Sequence, residues 1–200
     1  MSGRFDEART TLAEGAAILR AAGVKRWITS YALKAGFIEA QAGNLIKAEH
    51  AMREGGERGA NSVQDDGAYV APYLARVLCD QGRYREAAAE LRQLDDDAPT
   101  SLDVDTNIYQ LGARARAMAG IGQADKAESL AREAVAIGAT TDCLTLHGDA
   151  LTDLAHVLAA TGKREQAASA AGQAIRLYEA KGFTPAVDRT KAFLLTVASR

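Results

Sequence analysis

Gly162-Lys-Arg-Glu-Gln-Ala167 is the stretch that decides the fold, because its glycine and its alanine recur at the same spacing along the chain. The same pair occurs at four earlier places: Gly3–Ala8, Gly43–Ala48, Gly82–Ala87 and Gly122–Ala127. Successive glycines lie 39 or 40 residues apart. A fixed period of this size is typical of repeat proteins, in which each unit is a helical hairpin that buries its apolar face only against its neighbours.

The residues around each glycine have the periodicity of two helices joined by a tight turn. Before Gly162, Leu151, Leu154 and Leu158 recur at three- and four-residue spacing, and small residues continue that spacing after Ala167. A glycine between two such segments supplies the left-handed backbone conformation that often ends a helix. The pattern therefore predicts a helical hairpin at every glycine.

We expect an all-α protein of about ten helices. The helices that end at the glycines are predicted at 25–41, 66–80, 104–120 and 145–160. The helices that follow the glycines are predicted at 4–21, 44–57, 83–95, 123–138 and 163–181, with a closing helix at 185–198.

Composition narrows the classes of function. The chain has 200 residues, 48% of them hydrophobic and 25% charged, with a net charge of −2, and this balance offers no basic patch for nucleic acid. No apolar run is long enough for a membrane span, and the first residues lack the apolar stretch of a signal peptide, so a cytoplasmic location is expected. Cys79 and Cys143 have no disulfide or zinc motif and are predicted to be free thiols.

The first repeat has only its second half. Gly3-Arg-Phe-Asp-Glu-Ala8 matches Gly82-Arg-Tyr-Arg-Glu-Ala87, so the chain begins at the second helix of a hairpin. Such a start leaves an uncovered apolar face. Either the chain is the carboxy-terminal piece of a longer protein, or residues 1–22 act as a cap or pair with another subunit in a homo-dimer.

The segment from Leu151 to Ala167 resembles the tetratricopeptide (TPR) repeat, whose 34-residue period is stretched here to about 40. The resemblance covers residues 66–198 well and 24–60 poorly, because Gly36 and Glu39 stand where TPR repeats usually have alanine and an apolar residue. It extends to the TPR tails of bacterial LuxR-type ATPase regulators and of adenylate or guanylate cyclases.

This resemblance implies one right-handed superhelical solenoid over residues 1–200. Its expected parts are a half repeat at 1–22, hairpins at 24–60, 66–98, 104–140 and 144–182, and the closing helix at 185–198. The general role that it implies is the binding of a protein or peptide segment in a concave groove, in a regulatory or scaffolding context. The alternative is a regulatory tail of a larger signalling protein that senses a small molecule.

TPR geometry places the first helix of each hairpin on the concave surface, which gives a candidate binding groove. Its predicted residues are Tyr69, Tyr73, Arg76, Tyr109, Arg116, Asp149, Asp153 and His156. Exposed aromatic and arginine side chains dominate binding hot spots, so we expect these residues to bind a partner. Alternatively, the arginines pair with local acidic residues and stay solvated. A deep apolar pocket near the tyrosines would favour the small-molecule alternative, whereas a long open groove would favour the peptide.

Catalysis is not expected, since the chain lacks nucleotide-binding and zinc-protease motifs and any pairing of a nucleophile with a base. No cofactor is expected either. Asp149, Asp153 and His156 share one helical face and could in principle hold a divalent ion. We interpret them instead as a polar edge of the groove and expect no metal.

Overall fold

The computed structural model describes residues 3–23, 27–60, 70–96 and 103–198. These residues form ten helices and no strand. The helices are α1 (Phe5–Ala21), α2 (Trp27–Gln41), α3 (Leu45–Ala60), α4 (Ala71–Asp80), α5 (Tyr84–Asp96), α6 (Val104–Gly120), α7 (Ala124–Ala139), α8 (Leu144–Ala160), α9 (Arg164–Lys181) and α10 (Thr184–Ala198). The predicted all-α fold of helical hairpins is confirmed.

Each hairpin turns at the glycine that the sequence pattern singled out. Gly162 has a φ of 80°, in the left-handed region that glycine adopts without strain. Its N–H bonds to the carbonyl of Ala159 (3.2 Å), and the N–H of Lys163 bonds to the carbonyl of Leu158 (2.8 Å). This Schellman motif satisfies the carbonyls that the end of a helix leaves without partners. The same two bonds and a positive φ occur at Gly43, Gly82 and Gly122.

The repeated alanines lie where the two helices of a hairpin approach most closely. Ala48, Ala87, Ala127 and Ala167 are completely buried. So are the small residues seven positions before the turn glycines: Ala75, Ala115 and Ala155. A methyl group on one helix lets the backbone of the next helix come near, which a larger side chain would prevent.

Gly36, which departs from the TPR pattern, also has a packing reason. It lies on α2 at the small position seven residues before Gly43. A Cβ atom added there would lie 2.6 Å from Cγ of Met52, and Met52 is itself almost fully buried. The glycine therefore compensates for a large side chain on the facing helix.

Successive hairpins pack against one another through their first helices. α4 contacts α6, and α6 contacts α8, in addition to the contacts within each hairpin. Leu74 and Leu78 of α4 share a buried apolar cluster with Ala113 and Ala117 of α6. Within the described ranges, no helix has the apolar length that a membrane span would need.

The first two helices lie against the start of the last one. Arg189 on α10 donates a hydrogen bond to the side-chain oxygen of Gln41 on α2 (2.7 Å). Phe37 of α2 packs against the apolar cluster that contains Phe183 and Val187. Residues about 150 positions apart in the sequence are thereby brought together, and an open space lies between them.

Helix α1, the predicted half repeat, covers one side of that space. It packs against α2, where Arg9 donates two hydrogen bonds to the carboxylate of Glu39 (2.7 and 2.9 Å). Hydrogen bonding to Arg9, partly offset by burial, lowers the pKa of Glu39 to about 2. Glu39 thus holds α1 against α2 through Arg9, although the TPR pattern would place an apolar residue at this position. Whether the half repeat also pairs with a second copy stays a prediction.

Replacing Ala167 with phenylalanine should lower the free energy of unfolding by about 1–3 kcal/mol, because a larger side chain overfills a completely buried position. Urea denaturation followed by circular dichroism measures the effect. Ala180→Phe, at an exposed position of the same helix, is the matched control and should change stability by less than about 0.5 kcal/mol. Equal stability of the two variants would contradict the packing described here.

Candidate functional site

The residues predicted to line a groove are brought together, but they bind each other. Arg76 of α4, Tyr109 and Arg116 of α6, and Asp149 and Asp153 of α8 form one polar cluster, termed here the charge cluster. The members of this cluster come from three different hairpins. They lie together because α4, α6 and α8 are the first helices of three successive hairpins, and α6 packs against both α4 and α8.

Asp153 is the centre of the charge cluster. Its carboxylate is 1% exposed, and its Oδ1 atom lies 3.3 Å from Arg76 and 3.4 Å from Arg116. The second Nη atom of Arg116 lies 2.7 Å from Asp80 on α4. Gly112 of α6 lies directly beneath Asp153, and a Cβ atom at that position would collide with the carboxylate. A glycine inside a helix is thus what admits the buried charge.

Asp149 is held by hydroxyl groups as well as by charge. Tyr109 and Tyr178 each donate a hydrogen bond to it, at 2.8 and 2.7 Å, and an Nη atom of Arg76 lies 3.8 Å away. The ring of Tyr178 packs over Gly148, where a side chain would collide with it. Each oxygen of this buried carboxylate therefore has a hydrogen-bond donor, as burial of a charge requires.

Within the charge cluster, the arginines offset the effect of burial on the pKa values of the neighbouring carboxyl groups. Burial raises the pKa of Asp153, although Arg76 and Arg116 oppose that shift. For Asp80 burial acts in the same direction, but Arg116 and Arg76 outweigh it and lower the pKa. Two guanidinium groups thus face the buried carboxyl groups of Asp149 and Asp153 and that of Asp80, whose side chain is 37% exposed. Loss of the Asp153 charge would leave Arg76 with Asp149 at 3.8 Å and Arg116 with Asp80 at 2.7 Å as their remaining partners.

The groove prediction assumed that its aromatic and arginine side chains are exposed, and two of them are instead buried. Arg116 is only 6% exposed and Tyr109 only 7%, since both contribute to the charge cluster. The ring of Tyr109 lies under Arg76, 4.8 Å from its guanidinium carbon, and contacts Tyr73 with 4.7 Å between ring centroids. Tyr73 is half-buried, and Tyr69 lies outside the described residues. Binding of a partner by these residues stays a prediction.

His156 stands beside the charge cluster and against the last helix. Its ring contacts that of Phe193 on α10, with 4.0 Å between centroids. Burial, reinforced by the positive charge of Arg116, lowers the pKa of His156 to about 3. The neighbouring carboxylates are occupied by arginine and tyrosine donors. Among the described residues, no group of three His, Cys, Asp or Glu side chains is arranged to hold a metal.

A cavity of about 950 Å³ lies where α1 and α2 meet α6, α8 and the start of α10. Its walls are mostly aliphatic and aromatic. Helix α1 contributes Leu12 and Leu19, and α2 contributes Leu33 and Phe37. Pro185 closes the wall near α10.

The opposite wall of the cavity joins it to the residues predicted from the sequence. Tyr73 and Tyr109 line it together with Leu146 of α8, so a pocket does adjoin two of the three predicted tyrosines. Cys143 also lines it, and its sulfur lies 3.2 Å from the hydroxyl oxygen of Thr145. Both cysteines are free, as predicted.

The wall contributed by α1 was not predicted as part of a site. One signal was present in the sequence: Ala8, Leu12 and Ala16 follow the apolar spacing of a second helix whose first helix is missing. An apolar face without its own partner has to be covered by something. Here that face lines the cavity at all three positions.

Comparison of the sequence with protein-family models gives no match. Comparison with curated proteins gives none either.

Replacing Asp153 with asparagine should destabilise the protein by about 1–3 kcal/mol, because Arg76 and Arg116 would lose their shared buried carboxylate and keep only Asp149 and Asp80 as partners. Chemical denaturation measures this loss. Glu165→Gln, at an exposed position of α9, is the control and should have little effect. A stable Asp153→Asn variant would mean that the charge cluster contributes little to the fold.

His156 should make the protein less stable in mild acid. Its pKa is about 3 in the folded state and about 6.5 in an unfolded chain, so only the unfolded state takes up a proton between those values. Stability is therefore retained above pH 6.5 and lost as the pH falls, by about 2.5 kcal/mol between pH 7 and pH 4.5.

The measurement is the free energy of unfolding between pH 7 and pH 4.5. His156→Gln should flatten the profile, whereas His50→Gln, which alters an exposed histidine, should leave it unchanged. Identical slopes in the two variants would contradict the burial of His156.

Proposed function

We propose that this chain is a non-enzymatic, TPR-like binding module with a regulatory role, and that it holds an apolar small molecule in the cavity beneath α1. The observation that carries the proposal is the cavity itself. Its volume of about 950 Å³ falls within the range of small-molecule sites, and such sites are typically apolar with a few polar groups.

The charge cluster supports this choice over an open polar groove. Its arginines already have carboxylate partners inside the protein, so a partner peptide would have to compete with Asp153 and Asp149 for them. Desolvated charge pairs of this kind are costly to separate. The cavity, in contrast, has mostly apolar walls, and none of the described side chains fills the space between them.

The relation to TPR arrays is supported by the turn glycines, the buried alanines and the stacked hairpins. A protein segment, which such arrays typically hold, is the second candidate ligand. It is favoured by the apolar side chains that α1 exposes, Ile18 at 69% and Leu19 at 39%, because Leu19 also lines the cavity. An apolar partner segment could cover both residues.

The test uses N-phenyl-1-naphthylamine, an uncharged fluorophore whose emission rises in apolar sites. We expect saturable binding to the 200-residue chain. Ser30→Trp should weaken it severalfold, because Ser30 is exposed at the cavity and an indole ring there would occupy part of the space that the fluorophore needs.

The matched control is Ser169→Trp, at an exposed position of α9 outside the cavity, which should bind the fluorophore normally. Ile18→Glu separates the two candidate ligands. It should leave uptake of the small probe unchanged, whereas it would disrupt docking of an apolar segment on α1. Absence of saturable binding to the unmodified chain would contradict the proposal.

A further inference from the structure

Four charged side chains line the mostly apolar cavity: Arg4, Glu7, Lys34 and Asp105. Arg4 and Glu7 form an ion pair with 2.8 Å between nitrogen and oxygen, so their charges balance each other. Lys34 and Asp105 remain. None of the ion pairs within residues 3–23, 27–60, 70–96 and 103–198 involves either of them.

Asp105 has local compensation that Lys34 lacks. It lies in the first turn of α6, where backbone N–H groups without intrahelical partners and the helix dipole stabilise a carboxylate. Lys34 lies in the middle of α2, between Trp27 and Gln41, where the backbone offers no opposite charge. Its ammonium group is the one cation of the described cavity wall without a negative partner.

We propose that the ligand of this cavity is an amphipathic monocarboxylate, such as a medium-chain fatty acid, with its acid group at Lys34 and its apolar part against Leu12, Phe37 and Tyr73. This inference rests on the proposed function of the cavity. An alkyl chain matches the aliphatic and aromatic walls, and burial of its surface supplies most of the binding free energy. The carboxylate meets Lys34 in a charge-assisted hydrogen bond, which selects the acid over other amphiphiles of the same length.

The experiment compares decanoate, decanol and decylamine as competitors of N-phenyl-1-naphthylamine on the 200-residue chain. All three have the same alkyl chain, so differences between them report on the polar group alone. We expect decanoate to displace the fluorophore at a concentration about two- to fivefold lower than either competitor, the size of one ion pair at an exposed lysine. Added salt should reduce that preference.

Variants of Lys34 then assign the preference to its charge. Lys34→Gln should bring decanoate and decanol to equal affinity, and Lys34→Arg should keep the preference. Lys126→Gln, which removes an exposed lysine of α7 outside the cavity, should behave as the unmodified chain. Binding of the uncharged fluorophore confirms that each variant is folded.

Three results would overturn the inference while the proposed function stands: equal affinity for decanoate and decanol, tightest binding of decylamine, or an acid preference that survives Lys34→Gln. Failure of the uncharged fluorophore to bind the unmodified chain would overturn the proposed function, and with it this inference.

Discussion

Two helices of a hairpin can approach closely only where one of them presents an alanine or a glycine, and most of this structure follows from that constraint. The buried alanine five residues after each turn glycine brings the second helix onto the first. A second small position, at Gly36, Ala75, Ala115 and Ala155, recurs seven residues before the turn. Because both positions repeat with the period of the chain, each hairpin presents a similar face, and the hairpins stack through contacts such as those of α4 with α6 and of α6 with α8.

Stacking at this short distance also explains why charges are buried on α4, α6 and α8. Gly112 has no side chain to collide with Asp153. The carboxylate therefore enters the space between the helices and contacts both Arg76 and Arg116. A buried ion network adds little net stability compared with apolar packing, but separating its members is costly. The charge cluster therefore favours the arrangement of α4, α6 and α8 in which these side chains meet.

The parts of this fold that depend on local spacing could be predicted from the sequence, and the parts that depend on distant contacts could not. The turns at Gly43, Gly82, Gly122 and Gly162 and the helix pattern follow from residues within one period. The residues of the charge cluster were also identified, since they occupy equivalent positions in successive repeats. Pairing of the arginines with acidic residues was one alternative, but the partners were not predicted, because Arg76 and Asp153 are 77 residues apart and the period alone does not say which side chains meet. The cavity depends on contacts between α2 and the last helix, for which the sequence carries no periodic signal.

Placement of the cavity between the two ends of the described chain has a consequence for regulation. Its walls come from α1 and α2 on one side and from α6, α8 and Pro185 on the other. A ligand that contacts both sides binds the arrangement in which they are together and not one in which α1 has moved away. By mass action, such a ligand stabilises the closed arrangement by an amount that rises with its concentration relative to its dissociation constant. The ion pair of Arg9 with Glu39 holds α1 in place without a ligand, so occupancy of the cavity and attachment of α1 reinforce each other.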